Sequence, residues 1–270
     1  MSRRADSEQR RHHTTGRPRP DPEFSGIDIA RPTCDDGARV RYRKVTALPE
    51  QPGAPTGDSR RPTAHEQLSG APWDASYSEG PAPWDIGHPQ KAVVRVASDG
   101  GFTGTVLDAG CGTGENALYL AALGLPVVGF DVAETALALA REKTAERGLD
   151  AEFVAADALA LEGLPRRFDT VLDCGLFHTL ARAERHPYVS GLASVTAPGA
   201  TLYVLCFSDE GTELGPHPVS TADLNDAFGP SIGWNIATVE PERIETRFHD
   251  HGAPAWLARI DRVPAAVRRP

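Results

Sequence analysis

The stretch that decides the fold is Thr105-Val106-Leu107-Asp108-Ala109-Gly110-Cys111-Gly112-Thr113-Gly114-Glu115-Asn116. Thr105, Val106 and Leu107 form a short β-branched and aliphatic run that reads as a buried strand. Asp108 and three alternating glycines follow, and residues 116–123 then carry a helical pattern. Gly110, Gly112 and Gly114 permit positive φ and close backbone approach, while the helix start beyond them offers unpaired N–H groups. Strand, glycine turn and helix together suit a nucleotide-like ligand. The G-x-G-x-G spacing lacks the longer gap that fits a pyrophosphate in the dinucleotide fingerprint.

Downstream, Gly124 ends the helix and residues 126–131 form a second strand. Residues 133–147 are an alanine-rich helix stopped by Gly148. Asp131 therefore lies at the carboxyl end of strand two, 23 residues after Asp108, where a carboxylate can accept both ribose hydroxyl protons of an adenosine ligand. It also suits the dipole of the next helix. Residues 152–158 make a third strand ending in Asp157, placed to accept an adenine amino group while the Ala158 N–H serves a ring nitrogen. An N-cap is the alternative reading of Asp157.

Residues 168–173 and 202–207 are strands four and five, separated by a helix over 183–195 and a turn at Pro198-Gly199-Ala200. An α/β fold with a parallel sheet is expected. Ligands of such sheets sit beyond the carboxyl strand ends, so residues 173–178 and 207–209 should face a substrate. After Asp209 the pattern loosens into a helix over 221–228 capped near Ser220, then helix or strand pieces at 234–240, 243–250 and 255–259.

Upstream, residues 91–98 read as a helix leading through Asp99-Gly100-Gly101 into the first strand. Trp73 and Tyr77 are four apart and would share one helix face, and prolines with Gly87 hold Trp84 on an ordered turn. This aromatic cluster suits a lid or substrate wall over residues 70–98, or a staple packing an N-terminal helix on the sheet. Residues 1–65 are rich in arginine and proline without apolar periodicity, and are expected to be a disordered tail preceding a domain at 66–270.

The formal net charge of −9, from 28 basic and 37 acidic residues, disfavours an extended phosphate-binding surface, so no nucleic-acid partner is expected. No run approaches the roughly 18 apolar residues of a membrane span, and the arginine-rich N-terminus lacks a signal-peptide core. A cytoplasmic, monomeric enzyme acting on small molecules is the expectation. Cys34, Cys111, Cys174 and Cys206 fit neither zinc spacing nor a disulfide framework, and read as free thiols.

Asp108 to Gly114, Asp131, Asp157 and Asp173 to His178 together resemble class I S-adenosylmethionine-dependent methyltransferases. The resemblance spans about residues 70 to 262. It implies a Rossmann-like, seven-stranded, mostly parallel sheet with helices on both faces and a reversed final hairpin. Pro83-Trp84-Asp85-Ile86-Gly87-His88-Pro89-Gln90 looks like the branch holding thiopurine, thiol and halide methyltransferases. Asp173-Cys174-Gly175-Leu176-Phe177-His178, Phe207 and Gly215-Pro216-His217-Pro218-Val219 look closest to bacterial heterocyclic-toxin methyltransferases. His88 stands where many relatives carry arginine.

The resemblance implies S-adenosyl-L-methionine bound by Asp108, Gly110, Cys111, Gly112 and Gly114, with Asp131, Asp157, Ala158 and Trp84. It implies an acceptor lined by Trp73, Tyr77, Trp84, Phe177, Phe207 and His217. His178 is the candidate base, and Asp173 would orient the methionine amino group or the substrate. Both also read as structural groups, a pocket histidine and a turn cap. Methyl transfer to sulfur, nitrogen or oxygen of a small, largely apolar thiol or heterocycle is expected, without a metal or covalent intermediate. A cofactor-binding protein without transferase activity is the alternative, and the missing Tyr-x-x-x-Lys pair disfavours a nicotinamide oxidoreductase.

Overall fold

The computed structural model describes residues 61–164, 167–211 and 217–263. The described residues form a seven-stranded sheet of order β3-β2-β1-β4-β5-β7-β6. Its strands are β1 (Val106–Ala109), β2 (Val127–Asp131), β3 (Ala151–Ala155), β4 (Phe168–Cys174), β5 (Thr196–Phe207), β6 (Trp234–Thr246) and β7 (His249–Arg262). Strands β1 to β5 pair in parallel and β7 is antiparallel to both neighbours. Every β1 residue is buried, as expected of a central parallel strand covered on both faces.

The helices are α1 (Ala64–Ser69), α2 (Lys91–Ser98), α3 (Glu115–Ala122), α4 (Glu134–Arg147), α5 (Arg182–Val195) and α6 (Thr221–Ala227). On one sheet face Val93, Leu118 and Leu137 from α2, α3 and α4 pack on Val106 and Leu172. On the other, Tyr188, Leu192 and Leu224 of α5 and α6 pack on Leu107, Val171, Trp234 and Trp256. The strand order reverses between β1 and β4, so a crevice opens where these strands end. None of the helices formed by the described residues is long and apolar enough to cross a membrane.

Several expected boundaries move. The first strand runs one residue later than its Thr105 start, and β3 stops at Ala155, leaving Asp157 in the following loop. The turn expected at Pro198-Gly199-Ala200 lies inside β5, where a register shift between Phe168 and Thr170 absorbs it. The separate pieces at 234–240 and 243–250 are largely one strand, β6, broken by a tight turn before β7. Pro241 is accommodated inside β6 because β6 is an edge strand, where a proline is tolerated.

Trp73–Tyr77 is a 3₁₀ turn, so residues four apart do not share a face. The tail boundary at residue 65 also moves. Thr63 is the buried N-cap of α1 in a capping box with Glu66, and Ala64 N donates to Glu184 Oε1 at 2.8 Å. The rest of the expected tail, residues 1–60, lies outside the described residues.

Candidate active site

The glycine turn leaves β1 at Ala109 and enters α3 at Glu115. At Gly110, with φ +68°, a Cβ would come within 2.9 Å of Leu176 Cβ. At Gly114, with φ +83°, it would meet Phe153 Cζ at 2.8 Å and Ala140 Cβ at 3.0 Å. Side chains are excluded there by conformation and by packing together. Cys111 N donates to Phe130 O at 2.9 Å, tying the turn to the end of β2.

Asp131, at the end of β2, fixes the turn from below. Its Oδ2 accepts the Gly112 N–H at 2.8 Å and its Oδ1 accepts the Ala133 N–H at 2.9 Å. Burial raises its pKa, with those amides opposing the rise. The Val132 amide adds to these, and a carboxylate's four acceptor positions still leave capacity for a ligand hydroxyl. Asp157 lines the same cavity with Ala158, and its Oδ1 accepts the Leu159 N–H at 2.9 Å. The local turn bond of Asp157 is real and leaves its other oxygen available.

Two expected site carboxylates do not line the cavity. Asp108 is buried beneath the glycine turn and its Oδ2 has no hydrogen-bond partner. Burial pushes its carboxyl up to about 7, the Ala117 amide opposing and Asp173 and Asp131 adding to the rise. Asp173 accepts the Leu176 and Phe177 N–H groups, both at 3.0 Å, on Oδ1 and the Tyr188 hydroxyl at 2.7 Å on Oδ2. It holds the chain after β4 in shape, the turn-cap reading of the two the sequence offered, rather than facing the cavity as the catalytic one requires. The expected acceptor role of Phe177 is corrected. It is fully buried in the core against Phe228, 5.5 Å away, because the turn held by Asp173 aims it inward.

The lid is an aromatic and histidine assembly. His65 stacks on Trp73 at 4.2 Å, and its Nδ1 lies 3.2 Å from His217 Nε2. Trp73 meets the edge of Trp84 at 5.7 Å, and Trp84 Nε1 donates to the Tyr77 hydroxyl at 2.9 Å. Tyr77 lies over the glycine turn, its hydroxyl 3.1 Å from where a Gly112 Cβ would be, nearer the turn than the acceptor wall to which the sequence assigned it. Asp85 Oδ2 accepts from Thr113 Oγ1 at 2.9 Å. Gln90 N donates to Asn116 Oδ1 at 2.9 Å, while its side chain pairs with both backbone groups of Glu245, at 2.8 and 2.9 Å. The lid is thereby pinned to the glycine turn and to β6.

His178 and Phe207 close the far wall, with ring centroids 4.4 Å apart. His178 Nδ1 accepts the Phe207 N–H at 3.4 Å. A backbone N–H only donates, so Nδ1 carries the lone pair and the proton of the neutral ring sits on Nε2. Burial, then the positive fields of His217, His65 and Arg185, lower the imidazole to about 3. The base expected at His178 is therefore a neutral ring with a donor as its second nitrogen.

Gln90, at the end of the expected lid motif, also lines the cavity, as do His65, Ile244, Glu245 and Phe248, which lie outside the expected site residues. His65 sat in the expected tail, and Glu245 meets Gln90 across 155 residues, a pairing with no local sequence pattern. Among the described residues no group of three or more His, Cys, Asp or Glu side chains could hold a metal ion. The glycine turn that excludes Cβ atoms, the Asp131 oxygens with spare lone pairs, and Asp157 at adjoining strand ends fit an adenosine-bearing cofactor.

Residues 106–199 match the family described as Methyltransferase domain. The 2-heptyl-1-hydroxyquinolin-4(1H)-one methyltransferase of Mycobacteroides abscessus is 38% identical over 202 residues, 72% of this chain and 84% of that protein. A probable thiol methyltransferase 2 of Arabidopsis thaliana is 27% identical over 64% of this chain and 77% of its own length. A solved structure concerned with conversion of a disulfide bond into a thioacetal group during echinomycin biosynthesis has a TM-score of 0.62 and 37% identity. It covers 68% of this chain and 85% of that one. With the sheet order, glycine turn and strand-end carboxylates already in place, these matches make the chain a member of the S-adenosylmethionine-dependent class I methyltransferases.

Proposed function

We propose that this methyltransferase acts on a small, largely apolar acceptor whose nucleophile is a thiol or a heterocyclic N or O, enclosed beneath residues 63–90. The observation that carries the reading is the lid itself. His65, Trp73 and Trp84 stand over the strand ends opposite His178 and Phe207, a ring-lined and largely apolar space that also carries the histidines His65, His178 and His217. The relatives named for a hydroxyquinolone and for thiols support the same acceptor classes. The net charge of −9 gives no steering toward anionic polymers.

S-adenosylmethionine, when bound, supplies an electrophilic sulfonium methyl group. In the proposed assignment Gly110 to Gly114 leave room for the cofactor, Asp131 accepts its ribose hydroxyls, and Asp157 with the Ala158 N–H reads the adenine edge. Trp73, Trp84, Phe207 and His217 shape the acceptor space and exclude water. Holding two reactants in line is worth roughly 7 to 11 kcal/mol of otherwise entropic barrier, which these rigid walls can supply. The test is a screen of thiols, hydroxyquinolones and phenols with methyl-labelled cofactor. Label transfer to one of these classes is expected, and methylation of protein or nucleic acid with every small acceptor inert would overturn the reading.

A further inference from the structure

We propose that His178 is a hydrogen-bond donor that holds the acceptor as its conjugate base, so that the enzyme selects acceptors acidic enough to arrive already ionised. The inference rests on the enclosed small-acceptor reading above and narrows it to a substrate class: heteroaromatic N-hydroxy or enolic compounds and acidic thiols. The Phe207 amide occupies Nδ1 from the backbone of β5, and Nε2 has no hydrogen-bond partner among the described residues. A ring so fixed presents an N–H, complementary to an oxyanion and unable to take a proton.

The groups around it keep it neutral. His65 on α1, His217 before α6 and Arg185 on α5 all oppose a positive charge there, and burial adds to this, so the ring gains no proton across the physiological range. Of the other ionisable groups around the cavity, His65 and His217 bond each other, Asp85 accepts from Thr113 and from Gly87 N, and Glu245 pairs with Lys91 at 2.8 Å through Oε1 while its Oε2 is buried without a partner. His88 is exposed, with Nδ1 3.0 Å from the Pro89 carbonyl.

With His178 unable to take it, the acceptor's proton leaves to solvent before binding. A lone pair of the anionic oxygen or sulfur then forms the bond to the methyl carbon, and the electrons of the breaking carbon–sulfur bond settle on the departing thioether sulfur. Charge balances: an anion and a sulfonium give two neutral products, and no proton crosses to the protein. Nε2–H holds the anion in place and disfavours the neutral acid, which has no lone pair of comparable strength to offer.

The test has two readouts on the full chain. Nitrogen-15 spectra of histidine-labelled enzyme should show His178 Nε2 protonated and Nδ1 bare, unchanged from pH 8 to 5.5. Titration of 1-hydroxyquinolin-4(1H)-one bound with S-adenosylhomocysteine, followed by its own absorbance, should show its pKa lowered by one unit or more. His178→Phe should abolish that lowering and reduce kcat/KM for this probe about 10- to 100-fold, the worth of a hydrogen bond to a charged group. It should affect benzenethiol several-fold less, because thiolate sulfur accepts weakly. His178→Gln, which keeps an N–H near the Nε2 position, should restore most of the lost rate.

Across acceptors of graded acidity, the pH midpoint of kcat/KM should follow the acceptor. A midpoint fixed near 6 to 7 for all acceptors, a His178 ring protonated on Nδ1, or a limb removed by His88→Gln would overturn the donor role. If the tautomer is as expected but no small acceptor binds or is methylated, the enclosed-acceptor reading fails first and the donor role falls with it.

Discussion

The glycine turn and the lid face each other across one cavity, yet they are held by different physics. Around Gly110 and Gly114 the backbone is locked by core atoms, with Leu176, Phe153 and Ala140 at 2.9, 2.8 and 3.0 Å from the missing Cβ positions. The lid is held by ring edges and a few polar bonds, such as Asp74 to Thr135 N at 2.7 Å and Trp84 to Tyr77 at 2.9 Å. Its glycine at position 87 has φ +77° and nothing within 4 Å of a Cβ. One wall is part of the core, and the other is a surface assembly able to respond to what it covers.

The largest effect should come from setting Gly114→Ala against Gly87→Ala. Both place a side chain at positive φ, worth about 1 to 2 kcal/mol, but only Gly114→Ala also overpacks the core, for roughly 1 to 3 kcal/mol more. Denaturant unfolding should show the difference, and equal losses would break the contrast between the two walls. Next is Asp131→Ala, which strands the Gly112 and Ala133 amides and, in the proposed role, the ribose hydroxyls. Calorimetry should show S-adenosylmethionine affinity falling by about 1 to 3 kcal/mol. Unchanged affinity in a folded variant would sink the ribose assignment.

The same contrast explains what the sequence revealed. The strand, glycine turn and Asp131 are encoded within 27 residues, 105 to 131, where a buried strand, positive φ and a strand-end carboxylate each require particular residue types. Asp173, which the sequence left open between a ligand role and a turn cap, and Phe177, expected at the acceptor, show the opposite case: a strand-end acid and an aromatic carry the same sequence signature whether they face a ligand or the core. The choice was made by Tyr188, 15 residues on, whose hydroxyl claims the carboxylate. His65 and Glu245 have no local signal because their positions depend on contacts across 152 and 155 residues, to His217 and Gln90.

A third prediction separates burial from ligand binding on the turn side. Asp108 is raised from 3.8 to about 7 in the fold, so its stabilising contribution is present in full below the unfolded pKa and is lost as pH rises through the folded one. Asp108→Asn removes this titration. The variant should therefore gain on the parent by about 2 kcal/mol between pH 5.5 and 8.5, at 1.36 kcal/mol per unit over roughly one and a half units. Urea unfolding at both values checks this. A constant difference would mean that Asp108 stays ionised beneath the turn.

The smallest and most discriminating change is Trp84→Phe, because Trp84 touches both walls through one N–H. Its ring meets Trp73 on the acceptor side, and its Nε1 donates to the hydroxyl of buried Tyr77, which sits over Gly112. Phenylalanine keeps the ring contact and withdraws the donor, leaving a buried hydroxyl short of a partner for about 1 kcal/mol. If lid and turn respond separately, the acceptor KM should rise about 3- to 10-fold while cofactor affinity moves less than 2-fold. Tyr77→Phe combined with Trp84→Phe removes both partners and should sit closer to the parent than Trp84→Phe alone, since no polar group is then stranded. Equal losses of acceptor and cofactor affinity in Trp84→Phe would show that Tyr77 passes a lid disturbance straight to the glycine turn, joining the two walls into one unit.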